Sequence, residues 1–130
     1  MTGEQIVLAR RAVACKGWKW MPGMRTLNAM RVVHDPDLWP DRPCALREGC
    51  WIDTAPPRPL NDDLPDLSDA ATLGCLLALV REAWGTAIIV SYSYDDGLWE
   101  TMWEGATAAG WCGRGDTEAE ALVAALECAP

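Results

Sequence analysis

The chain of 130 residues has the length of one domain. With half its residues hydrophobic and 23% charged, it fits neither a disordered nor a fibrous protein. No run approaches 18 consecutive apolar residues, so no membrane role is expected. The formal charge is −8 at pH 7 and is uneven: residues 1–34 hold six basic groups and one acid, residues 35–66 three and eight, residues 67–130 two and ten.

Taken in chain order, Thr2-Gly-Glu-Gln5 is a capping-box pattern, and it predicts a helix running to Cys15 with Ile6, Ala9 and Val13 on one face. Gly17-Trp-Lys-Trp-Met-Pro-Gly23 reads as a turn, and Met24–Val33 as a strand or a short helix, with a strand favoured near Met30–Val33. Residues 35–66 contain seven of the nine prolines. Proline removes a donor and fixes φ, so a helix or a central strand is not expected through most of this Pro/Asp-rich insertion, apart from a short edge strand at Cys50–Asp53.

The second half is clearer. Asp66, Ser68 and Asp69 offer N-caps, and Leu73, Leu76, Leu77, Val80 and Trp84 recur at helical spacing before Gly85. Ala87–Tyr94 is rich in β-branched and aromatic residues and ends at Asp95-Asp-Gly97, a hairpin signal. On the far side Trp99, Thr101 and Trp103 alternate with Glu100, Met102 and Glu104, and this tryptophan face is expected to pack on helices. A third strand is expected within Ala106–Gly113, then a second capping box, Thr117 with Glu120, opening a helix to Cys128. The whole predicts one α+β domain with helices layered on an antiparallel sheet. It has a basic helix and Trp-rich turn (1–34), an insertion (35–66) and an αβββα core (67–130).

Chemistry is sparse. Six cysteines in a secreted chain would suggest disulfides. However, Cys75 and Cys128 lie within helical patterns, Cys15 ends an alanine-rich stretch and Cys112 follows Trp111 in a strand. Reduced, mostly buried thiols are therefore expected, with only Cys44 and Cys50 in a loop where they could pair or serve as a nucleophile. Met1–Arg11 carries Glu4 first and arginines last, the reverse of a signal peptide, which points to a cytoplasmic protein. There is no Cys-x-x-Cys, and His34 is the single histidine, so neither a metal nor a cofactor is expected. Gly113-x-Gly115 precedes a helix, but Asp116, Glu118 and Glu120 crowd that end and would repel a phosphate.

Two surfaces remain. The acids Asp95, Asp96, Glu100, Glu104, Asp116 and Glu118 form a candidate face for a basic protein. Lys16, Trp18, Lys19, Trp20, Arg25 and Arg31 interleave cations with aromatics, as nucleic-acid binders do, although the net charge disfavours direct nucleic-acid binding. The plainer alternative is that this basic segment is neutralised by the chain's own acids.

From Leu64 on, the chain resembles a family of phage and prophage proteins, the phage ABA-sandwich domain. The resemblance is carried by Leu64-Pro-Asp-Leu-Ser-Asp-Ala-Ala71, the leucine helix through Trp84, the tryptophan strand 98–103, and Gly115-Asp-Thr-Glu-Ala-Glu-Ala-Leu-Val-Ala-Ala-Leu-Glu127. More loosely, it extends to Leu8–Trp20. It implies a helix–sheet–helix sandwich of phage origin and no catalytic signature. Gly115-Asp-Thr117 with Glu120-Ala121 is also similar to the strand–turn–helix of one antitoxin type, through shared turn and cap chemistry. The resulting expectation is a non-enzymatic phage accessory protein that binds a host protein, with inhibition of a bacterial defence system (an anti-CRISPR-like role) as its concrete form. A regulator using the basic segment is the alternative. Eight tryptophans exceed what so small a core readily hides, so a homodimer is also expected.

Overall fold

In the structure, a computed structural model describing residues 2–47, 57–60, 62–103 and 111–130, Thr2 and Gln5 cap the first helix reciprocally. The Thr2 N–H donates to Gln5 Oε1 (2.9 Å) and the Gln5 N–H to Thr2 Oγ1 (3.2 Å). Helix α1 (Gly3–Val13) stops two residues before the predicted Cys15 and buries Ala9 and Ala12. The described residues form three helices and two three-stranded antiparallel sheets in mixed order, an α+β fold. The predicted Cys50–Asp53 strand, Glu104 and the first part of Ala106–Gly113 lie outside the described residues. By internal packing the chain divides into two compact units, Met1–Ala9 with Trp20–Cys75 and Arg10–Lys19 with Leu76–Pro130.

The first unit holds β1 (Met30–Val33), β2 (Cys44–Arg47) and β3 (Arg58–Pro59), in the order β1-β2-β3. β1 lies where the sequence placed it. The proline-rich insertion supplies the other two strands, with a four-residue centre between Pro43 and residue 48 and a two-residue edge ending on Pro59. Proline is thus confined to strand borders, where no ladder donor is needed. Met24, Thr26, Val32, Cys44 and Ala45 are fully buried in this unit.

Two arginines bind this unit to the start of α2 (Ala70–Trp84). Arg25 reaches Asp66 (2.7 Å) and Arg31 reaches Asp69 (3.0 Å). Asp69 is also the N-cap, accepting from the Thr72 N–H and the Thr72 hydroxyl, while Thr72 Oγ1 accepts from the Arg25 N–H. A backbone donor, a hydroxyl, a carboxylate and a guanidinium are therefore joined in series. α2 buries Thr72, Leu76, Leu79 and Val80, leaves Leu73 and Leu77 half-buried, and ends at Gly85, whose φ of +66° favours glycine.

The second unit contains β4 (Ile88–Ser93), β5 (Leu98–Trp103), β6 (Trp111–Gly115) and α3 (Glu118–Glu127). Thr117 caps α3 by accepting the Glu120 N–H (3.1 Å), as predicted. The return bond to Glu120 comes from the Asp116 N–H (2.8 Å), one residue earlier than a capping box prescribes. Gly113 and Gly115 form a side-chain-free strip on which α3 lies directly. A Cβ on Gly113 would stand 2.5 Å from the Ala121 carbonyl oxygen and 2.5 Å from the Ala125 nitrogen. Buried Thr101 has its hydroxyl 3.2 Å from the Gly113 carbonyl and 3.5 Å from that of Ala121. The tryptophan face of β5 meets the helices in part. Trp103 lies against Trp84 (6.2 Å between ring centroids), which donates to the Ala125 carbonyl (2.8 Å), whereas Trp99 meets Tyr92 edge-on.

Two measurements test these fastenings. Gly113→Ala is expected to cost about 2–3 kcal/mol in urea unfolding, because the neighbours it meets are helix backbone and cannot step aside. The second concerns pH. Burial disfavours ionisation of Asp66 and Asp69, but hydrogen bonds from Ser68 and Arg25 to Asp66, and from Arg31 and Thr72 to Asp69, outweigh it and hold both carboxyls below the usual 3.8. A lowered folded value means the stabilisation is complete above the unfolded value and is lost as pH falls through the folded one. The urea midpoint should therefore fall as pH drops below 3.8, and Asp69→Asn should be less stable at neutral pH and lose less on acidification.

Candidate protein-binding surface

β4 turns into β5 through Tyr94–Gly97. Gly97 takes a φ of +67° and its N–H donates to the Ser93 carbonyl (2.8 Å), which realises the Asp-Asp-Gly signal. β6 runs antiparallel to β5 with Gly115 opposite Trp99, so the β6–α3 turn emerges at the same end of the sheet as the hairpin tip. This topology gathers four of the predicted acids: Asp95 and Asp96 in one turn, Asp116 in the next, and Glu118 in the first turn of α3. The first three are exposed and Glu118 is half-buried.

Glu100 belongs to a different environment. Its side chain is only 13% exposed and sits 3.3 Å from Arg114, whose guanidinium also binds Asp96 (2.8 Å) and lies 4.7 Å over the Trp111 ring. Arg114 is the only Lys or Arg after Arg81, so one cation serves the entire acidic end and is itself occupied there.

The acids flank an aromatic cluster that the sequence reading did not single out. Tyr94 is 90% exposed, and its ring meets Tyr92 edge-on at 5.1 Å. Tyr92 is 41% exposed and meets Trp99 at 5.5 Å. The available signal was Tyr94 itself, an aromatic residue at the first position of a tight turn, where no core is within reach. Tyrosine rings beside carboxylates can stack on and pair with arginine or lysine side chains, the usual chemistry of a protein interface core with a charged rim.

The basic set is divided between the two units. Lys16, Trp18 and Lys19 belong to one unit, and Trp20, Arg25 and Arg31 to the other. Lys19 Nζ lies 3.0 Å from Glu82, while Arg25 and Arg31 hold Asp66 and Asp69. With Arg11 on Glu127, the neutralisation considered from charge alone is realised at each of these pairs.

A cleft of about 310 Å³ lies in the second unit, floored by Leu79, Ala83 and Leu126 and bordered by Cys15, Lys16 and Gly17. Gly17 owes its place to the close approach of Leu126, 3.1 Å from where a Cβ would stand, rather than to a positive φ. Burial pushes the thiols of Cys15, Cys44, Cys75 and Cys112 up, which makes them poor nucleophiles at neutral pH. Cys15 and Cys75 are half-buried and Cys128 exposed, so the expectation of mostly buried thiols holds fully only for Cys44 and Cys112; Cys50 lies outside the described residues. Among the described residues all five cysteines are free and no cluster of His, Cys, Asp and Glu could hold a metal ion; His34 is exposed. No helix among them is long and apolar enough to cross a membrane.

Comparisons with family models, with curated proteins and with solved structures return no match for this chain.

Arg114→Gln tests the internal half of this surface. It removes two ion pairs and the stack on Trp111 and leaves the enclosed Glu100 carboxylate without its cation. A loss of about 1–2 kcal/mol is expected in urea unfolding, mostly through Glu100, since Asp96 is half exposed and solvent-screened.

Proposed function

We propose that the protein acts without catalysis, by presenting the aromatic and acidic end of its second sheet to a protein with a basic surface. The observation that carries this reading is the hairpin tip. Tyr94 projects almost wholly into solvent beside Asp95 and Asp96, with Tyr92 and Trp99 behind it and Asp116 and Glu118 alongside. Aromatic residues ringed by charge concentrate binding energy at interfaces and steer an oppositely charged partner by long-range attraction. The raised thiols speak against cysteine nucleophiles at the described positions. In its narrower form the reading makes the chain a phage or prophage accessory protein of the bacterial cytoplasm. Its partner is then a host protein such as a basic effector of a defence system. That form draws on the resemblance to the phage ABA-sandwich domain and on charge.

The competing regulator, using Lys16, Trp18, Lys19, Trp20, Arg25 and Arg31 on nucleic acid or as an antitoxin-like protein, has less support. Three of its four cations already face carboxylates of the same chain.

The test is capture from a bacterial host lysate with the wild-type chain and with a Tyr94→Ala, Asp95→Asn, Asp96→Asn variant, at low and high salt. The wild type should retain a basic protein in a salt-sensitive manner. The variant should unfold at the same urea midpoint and retain about tenfold less or weaker. Equal capture by the variant, or capture of nucleic acid in place of protein, would remove the proposal.

A further inference from the structure

β4 is an edge strand without the usual protection. In the order β4-β5-β6 it pairs on one side with β5, and among the described residues nothing pairs with its other side. Among the described residues, the Ile88 carbonyl at the start of the strand accepts from Arg81 Nε (3.0 Å) and Nη2 (2.8 Å). Natural sheets guard such edges with charge, proline, bulges or a covering element. β4 reads Ile-Ile-Val-Ser-Tyr-Ser, with no charge, no proline, no glycine and no break in its register with β5. Ile89 is 42% exposed.

The opposite edge is built differently. β6 carries Arg114 and two glycines under α3, and its ladder with β5 shifts register at Thr101/Met102. The two edges of one small sheet thus differ in charge and in regularity of register. An open strand of this composition would aggregate unless it is used.

We infer that β4 pairs antiparallel with β4 of a second copy of this chain, joining two three-stranded sheets into one of six strands. A twofold axis passing beside Ser91, so that this residue faces its own copy, sets the uncharged strand against its own reverse. Twofold pairing consumes both open edges at once, and the guarded β6 edges left outside stop further addition, so the assembly closes as a dimer. Charge placement fits a second copy despite the net charge of −8. Asp95 and Asp96 follow the end of β4, so the axis sends the two acidic tips to opposite ends, separated by at least the strand's length of about 20 Å. That exceeds the screening length of roughly 8 Å at physiological salt, and the tips barely repel. This inference does not depend on the function proposed for the hairpin tip.

The experiment is sedimentation equilibrium of the full chain across roughly 1 to 100 μM, with amide hydrogen exchange at both extremes. A monomer–dimer equilibrium is expected, in which amides of Ile88–Ser93 gain protection with concentration while those of Trp111–Gly115 do not. Ile89→Lys puts a charge on an exposed position of the edge strand, and should leave the urea midpoint near that of the wild type while weakening the dimer at least about tenfold. A monomer throughout, a dimer without new protection in β4, a folded Ile89→Lys variant that dimerises unchanged, or protection of β4 that appears only when another protein is added would each overturn the inference. Should Ile89→Lys fail to fold, exchange on the wild-type chain decides alone.

Discussion

The contact on which the second unit depends is the approach of α3 to a strand at two positions that carry no side chain. Gly113 and Gly115 bring helix backbone to within atomic contact of sheet backbone, and the Thr101 hydroxyl lies between them. The direction of β6 then decides where the helix begins. Because α3 starts immediately after Gly115, its capping turn emerges beside the β4–β5 hairpin, and the acids that favour a helix N-terminus also become part of a surface. One packing requirement thereby places Asp116 and Glu118 next to Asp95 and Asp96. The Gly-x-Gly pattern serves as the seat of a helix, which accounts for its presence without any phosphate.

Charge is handled by two different arrangements. In the first unit, arginine and aspartate pairs are partly enclosed and linked to a helix cap, so breaking one partner disturbs a series of bonds. In the second unit, Arg114 is shared between an enclosed carboxylate and an exposed one, Lys19 and Arg11 hold Glu82 and Glu127, and Asp95 and Asp116 are exposed. The basic segment is therefore largely committed to holding its own fold, while the acidic surplus stays at the surface. The asymmetry of charge along the chain becomes an asymmetry between interior fastening and exterior display.

Much of this was legible in the residues. Helix α2 follows from leucine spacing closed by Gly85, α3 from Thr117 and Glu120, and the hairpin from Asp95-Asp-Gly97 between alternating strands. These are local signals, and local signals survive in one dimension. The first sheet was hidden because β2 and β3 are four and two residues long among prolines, too short for periodicity to register. The pairs Arg25–Asp66 and Arg31–Asp69 join positions far apart in sequence, so charge counting could suggest neutralisation without naming partners. At the candidate site the acids were identified and the aromatic cluster was not. A tyrosine in a strand reads as core until the fold shows that the strand's end has nothing to cover it.

The distant fastening of the first sheet bears on how the chain acquires its structure. The β4–β5–β6–α3 segment closes through neighbours a few to some thirty residues apart, whereas the fastening of the first unit to the start of α2 needs Arg25 and Thr72, and Arg31 and Asp69, to find each other across 47 and 38 positions. Loop closure over such spans is entropically slow to initiate, so the hairpin and its helix can organise while the proline-rich stretch is still searching. During that interval the uncharged strand is already formed and open along one side. In a freshly made chain, encounters between copies therefore compete with completion of the other half, and the order in which the halves consolidate influences whether such encounters end in ordered pairing or in clumping.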